Sequence, residues 1–256
     1  MIFWMRYRPL YLLISTVMIC AGIYSYLSWG FKVGIDFTGG VVAEYKLNDG
    51  SVKIVKSERE RNELKSVGAT EIRYENVGPS IGPELIKKTI YALGISALLI
   101  LLWIAYQFKS IKFGISATLA TFHDSFVLLG AFSLLGHFFG AEIDFLFVTA
   151  MLTVLSFSVH DTIVVYDRIR ESKKKFTGTM YELANKAVSE TMVRSLNNSF
   201  TIIFMLVALI LLGGETVKWF AVALLIGTIS GTYSSPFVAV PILVTWDEIE
   251  KKLKRR

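Results

Sequence analysis

Residues 157–171 read FSVHDTIVVYDRIRE, and they place Asp161 inside an apolar run long enough to cross a membrane. A carboxylate in hydrocarbon costs roughly 2.5–3.5 kcal/mol even on lenient insertion scales. Such a residue persists where it faces a wet or polar interior, and there it commonly serves ions or protons. The alternative is an aspartate bonded permanently to neighbouring hydroxyls or backbone.

Apolar stretches of spanning length occupy about 9–29, 88–108, 113–136, 145–167, 195–213 and 216–246. With 53 % hydrophobic residues among 256, in long blocks, the chain reads as a membrane protein rather than a soluble domain. The apolar run from Pro9 exceeds a signal-peptide core and lacks an A-x-A site, so an uncleaved anchor is expected. Cys20 is the single cysteine, which excludes an intrachain disulfide.

The net charge of +6 does not point to nucleic acid, because the basic residues gather at the ends of apolar blocks. With the N-terminus inside, the inner segments carry sixteen Lys/Arg against six acids, and the outer ones eleven against twelve. Both termini are therefore expected in the cytoplasm.

The expected layout is a first span within 1–29, an extracytoplasmic α+β domain over 30–87 and a five-span bundle over 88–246. A cytoplasmic loop over 168–194 and a basic tail over 247–256 complete it. Within the domain, Val41–Leu47 and Ser51–Val55 read as strands joined at Asn48-Asp49-Gly50. Ser57 with Glu60 forms a capping pattern before a helix ending near Gly68, and Ala69–Val77 reads as another strand. In the 168–194 loop, Met180, Leu183, Ala184, Ala187 and Val188 share one helical face. They predict a helix lying on the membrane or packed under the bundle.

Asp161 lies roughly 9 Å inside the cytoplasmic end of its span at 1.5 Å per residue. His160 points about 100° away from it. Arg194 opens the fifth span and shares a face with Asn198 and Thr201, which predicts an inward polar stripe and a charge partner for Asp161. The alternative for Arg194 is snorkelling to the headgroups. His123 and Asp124 form a second ionisable pair near mid-membrane, as a tuning, structural or relay element. Asp167 and Arg168 read as a boundary salt bridge. Gly227-x-x-x-Gly231 with Ser230 and Ser234 is a small-residue stripe, read as helix packing.

No P-loop, dinucleotide fingerprint, HExxH or nucleophile elbow is present, so neither an enzyme nor a cofactor or metal site is expected. An aspartyl-protease dyad of two intramembrane aspartates is opposed by the nearby Arg194, which disfavours a shared proton.

Six motifs, in order, resemble the SecF family of the bacterial SecDF accessory complex of the Sec translocon. They are GIDFTGG (34–40), VGPSIGPEL (77–85), HDSFVLLGAFSLLG (123–136), DTIVVYDRIRE (161–171), RSLNNSFT (194–201) and GTYSS (231–235). The resemblance implies half of an RND-type transporter: six spans and an extracytoplasmic domain after the first. It implies a SecD-like subunit, the SecYEG translocon and a translocating preprotein as partners, in the lipid of the bacterial cytoplasmic membrane, and proton flow as the energy source. By residue match Asp161 takes the place of the family's proton-transport carboxylate and Arg194 of its partner. Thr162, Asn197, Asn198 and Thr201 would surround them. His160 stands where many relatives carry Asn, and the extracytoplasmic region is shorter than usual. A scaffold without proton conduction, and an RND-type small-molecule exporter, are the competing readings.

Overall fold

The structure, a computed structural model, describes residues 3–47, 50–78 and 81–254. Asn48 and Asp49 of the expected turn, Pro79 and Ser80 of the 77–85 motif, and Arg255 and Arg256 of the tail lie outside them. A 3-10 turn, Trp4–Tyr7, leads into α1 (Arg8–Trp29). A short α2 (Ile35–Thr38), β1 (Gly40–Lys46), β2 (Val52–Val55), α3 (Glu58–Ser66) and β3 (Thr70–Val77) make up the domain between the first two long helices. Then come α4 (Ile81–Phe108), α5 (Ile111–Phe139), α6 (Phe145–Lys175), α7 (Met180–Leu212) and α8 (Glu215–Ser234). A π-helical turn, Ser235–Ala239, joins α8 to α9 (Val240–Lys254). Six helical stretches among the described residues are long and apolar enough to cross a membrane, α8 and α9 counting as one. The molecule is a multi-pass helical membrane protein.

The inter-span domain follows its sequence pattern closely. β1 is the central strand of an antiparallel sheet of order β2-β1-β3. The Ser57 hydroxyl accepts the Glu60 amide at 3.2 Å and so caps α3. Gly68, at φ +80°, ends that helical segment in a conformation that favours glycine. α3 and the sheet bury Ala43, Tyr45 and Val55 against Leu64 and Ala69. This core is small for an independent fold, so the domain's attachments to the bundle matter.

Two segments are more helical than their polarity suggests. α4 begins at Ile81, before the apolar run, and the 168–194 stretch is a helical hairpin turning only at 176–179. The expected loop helix is not a separate element: α7 runs unbroken for 33 residues, about 50 Å at 1.5 Å per residue, against about 30 Å of hydrocarbon. A reciprocal capping box between Thr179 and Glu182 starts it, and no glycine or proline interrupts it. Leu183, Ala184, Ala187 and Val188 are buried there, packed under the bundle in one cluster with Met5, Ile169 and Leu243.

Close helix approaches set the centre. A Cβ on Gly227 of α8 would lie 2.1 Å from the Val154 side chain of α6, and one on Gly130 of α5 would lie 2.4 Å from the Gly22 Cα of α1. Only hydrogen fits at these contacts. The α1–α5 seam continues through a Ser25–Ser133 hydrogen bond at 2.9 Å.

Candidate functional site: two buried carboxyls in the bundle

Asp161 sits on α6 at 4 % exposure. Its carboxylate accepts the hydroxyl of Ser195, on α7, at 2.5 Å. Among the described residues no other side chain is hydrogen-bonded to it. His160, next in sequence, is exposed. Thr162 is buried; its hydroxyl donates to the Ser158 carbonyl at 3.0 Å and lies 2.9 Å from the Ser235 hydroxyl.

Arg194 does not sit in the bundle interior. It is exposed, makes no ion pair among the described residues, and lines a groove with Val164, Asp167, Glu171 and Glu190. Among the described residues no hydrogen bond or ion pair joins it to Asp161. Asn197, Asn198 and Thr201 are exposed as well, and Thr201 spends its hydroxyl on the Asn197 carbonyl at 2.9 Å. The expectation of an inward stripe is therefore corrected by about one residue of helical phase. The inward line of α7 is Thr191, Ser195 and Ser199, all buried, spaced i, i+4, i+8. Each neighbouring position is rotated by about 100°. Ser199 meets the Thr232 hydroxyl of α8 at 2.6 Å. Asp167 and Arg168 do not pair with each other: Asp167 bonds Arg170, and Arg168 bonds Glu171 and Glu190.

The second carboxyl is saturated. Asp124, on α5, is fully buried and takes the hydroxyls of Ser158, Ser230 and Ser234 at 2.6 Å each. Its neighbour His123, also buried, places Nδ1 3.1 Å from the same carboxylate. One side chain thus ties α5 to both α6 and α8. The Ser235 hydroxyl, in the π-helical turn beside Pro236, adds a bond to the Ser158 carbonyl at 3.2 Å. Proline lacks an amide, and wide turns of this kind recur at functional positions.

The sequence reading missed the serines. Ser230 and Ser234 read as a packing stripe, and the structure makes them ligands of Asp124 as well. A signal was available: hydroxyls at i, i+4 on a helix facing an intramembrane aspartate supply the donors that the carboxylate needs. Ser195 was masked by its neighbour Arg194. Among the described residues no cluster of His, Cys, Asp or Glu could hold a metal.

A polytopic helical bundle with buried carboxyls and a small α+β insertion after its first span is the class these features define. Residues 56–249 match the family described as "Protein export membrane protein SecD/SecF, C-terminal". The chain is 37 % identical to the protein translocase subunit SecF of Thermobaculum terrenum, over 94 % of this chain and 93 % of that one. It is 34 % identical to the SecF subunit of Anaerolinea thermophila, over 95 % and 93 %. Among solved structures it is similar to SecDF of Thermus thermophilus, described as a translocon-associated membrane protein. The TM-score is 0.85 at 29 % identity, covering 96 % of this chain and 39 % of that one. The chain belongs to the SecD/SecF family of protein-export membrane proteins.

Proposed function

We propose that the chain is the SecF-type half of an RND-type SecDF complex in the bacterial cytoplasmic membrane, with both termini cytoplasmic. It is not an enzyme; it helps preproteins cross through the Sec translocon by means of proton flow, with Asp161 as the carrier. The observation that carries this reading is the unequal satisfaction of the two buried aspartates: among the described residues Asp161 holds a single hydroxyl bond, against three at Asp124. A carboxyl with vacant acceptor sites in hydrocarbon favours taking a proton, and losing it requires a cation or water to approach.

The surroundings support a partner. His160, Arg194, Asn197, Asn198 and Thr201 face outward from helices of spanning length. Polar side chains at that depth require protein or water beside them rather than lipid. A SecD-like subunit covering this face would enclose Asp161 and Arg194 at a common interface. Ionised Asp161 then draws in Arg194; protonated Asp161 releases it, and the α6–α7 contact repacks. One proton crossing 100 mV supplies about 2.3 kcal/mol, which biases a conformational equilibrium about fiftyfold.

The test is Asp161→Asn in a strain lacking the native gene, scored for proton-dependent export and for copurification with the SecD-like subunit. Normal assembly with lost export supports the carrier role. Unchanged export removes it, and lost assembly favours a scaffold. Copurification with the SecD-like subunit also argues against a small-molecule exporter.

A further inference from the structure

The motif GIDFTGG, at 34–40, has no part in the carrier chemistry, yet it joins the inter-span domain to the bundle through several backbone and side-chain contacts. The stem after α1 pairs in parallel with the α5–α6 connection. The Gly34 amide donates to the Ile143 carbonyl at 2.9 Å, and the Ile143 amide to the Lys32 carbonyl at 2.8 Å. A Cβ on Gly34 would come within 3.1 Å of the Asp144 side chain. Two residues further on, Asp36 reaches across and accepts the amide of Phe145, the first residue of α6, at 2.8 Å.

α6 already has its own cap: Asp144 accepts the Phe147 amide at 2.7 Å. Burial pushes the Asp144 carboxyl up, and the charge of Asp36 adds to that. A second carboxylate beside a partly buried one is unfavourable, so capping alone does not account for Asp36. Its bond does what Asp144 cannot, because it comes from the other side of the join. Further ties lie close by. The Thr216 hydroxyl of α8 donates to Glu44 of β1 at 2.7 Å, and Lys56 pairs with Glu142. At Gly82 of α4 an added Cβ would fall 2.0 Å from the Phe37 carbonyl oxygen.

The domain is thus held at the ends of α6 and α8, the helices whose deeper turns carry Asp161 and the serine ligands of Asp124. No glycine or proline interrupts α6 between Phe145 and Lys175. It behaves as a rod in which Asp161 lies about 24 Å along the axis from Phe145.

We propose that Asp36 is a positioning residue that fastens the inter-span domain to the end of α6, so that the domain and the Asp161 helix move as one body. The inference rests on the carrier reading of Asp161. A displacement or rotation of α6 on protonation is then delivered to the sheet through the Asp36 join.

Amide hydrogen exchange on the intact complex in membranes tests it, with Asp161→Asn imitating the protonated state. With Asp36 present, Asp161→Asn is expected to shift exchange within 40–77 as well as within α6. With Asp36→Ala the shift within α6 remains, the shift within 40–77 is lost, and the Phe145–Phe147 amides exchange at least tenfold faster. Asp36→Asn, which keeps an oxygen acceptor, should restore the transmitted shift. If Asp36→Ala does not assemble, Asp36→Glu gives the same comparison with a carboxylate one methylene out of place. Equal shifts within 40–77 with Asp36 and with Asp36→Ala (or Asp36→Glu where Ala does not assemble), or no shift there in the presence of Asp36, overturn the coupling. Unchanged export in Asp161→Asn is a separate outcome that removes the carrier reading instead.

Discussion

Asp124 and Asp161 are two aspartates of similar burial in one bundle, yet they have opposite surroundings. Asp124 has three hydroxyl donors and an imidazole, contributed by three helices. Among the described residues Asp161 has one hydroxyl and, beyond it, an outward polar face whose arginine makes no ion pair. Burial alone therefore says little about role. A carboxylate whose acceptor sites are filled holds helices together, and moving it would break several bonds at once. One whose sites are mostly empty can change protonation at the cost of a single hydrogen bond.

The comparison breaks most sharply in function. Asp161→Asn is expected to lower proton-dependent export on the order of fiftyfold, the bias one proton carries across 100 mV, with thermal stability nearly unchanged. Equal export by the variant in an inverted-vesicle assay would make the two aspartates alike.

Stability should show the reverse order. Asp124→Ala strands three buried serine hydroxyls and the His123 ring nitrogen, and each unsatisfied donor costs about 1–3 kcal/mol. Not all of these add, since the hydroxyls can turn to local carbonyls, so a loss of about 3–5 kcal/mol is expected. Thermal unfolding in detergent reads it; a loss below that of Asp161→Ala would contradict the assignment of Asp124 as the structural member.

The packing that brings the serines to Asp124 can be probed without touching either aspartate. Gly227→Ala forces α6 and α8 apart at Val154 and should cost about 1–3 kcal/mol. Val154→Ala in the same chain should recover most of it. A failure of that rescue would mean that the glycine acts through something other than the contact.

The smallest effect concerns a carboxylate outside the membrane. Glu71 accepts the hydroxyl of buried Tyr45, and that bond, aided by Arg61 and Lys65, holds its carboxyl below the usual range. Its stabilising contribution is fully present above the ordinary glutamate value and is lost as pH falls through the lowered one. Tyr45→Phe should flatten that acid limb when the unfolding of the inter-span domain is followed against pH. An unchanged limb would assign the effect to Arg61 and Lys65 alone.

Much of this protein was legible in its sequence. The strands, the cap at Ser57, the turn at Gly68 and the spans follow from local patterns, because each depends on residues a few positions apart. Family membership followed from ordered motifs. The phase of α7 was misread because Arg194, Asn198 and Thr201 do share a face, and polar faces of spans usually turn inward. That rule assumes the bundle is complete within the chain. Here Ser195 and Ser199 form the inner line, and the more polar face points away from the bundle.

Local patterns alone place two aspartates in helices of spanning length, where charge is expensive, and put strands and a capped helix after the first of those helices. Which carboxyl is saturated, and which holds a single side-chain bond among the described residues, follows from the packing of the bundle. Hydrogen-bond partners in a bundle come from helices far apart in the chain. Their rotation is set by contacts such as Gly227 on Val154 and Gly22 on Gly130. A local pattern gives the face of a helix, but the neighbour that face meets depends on where backbones can approach most closely.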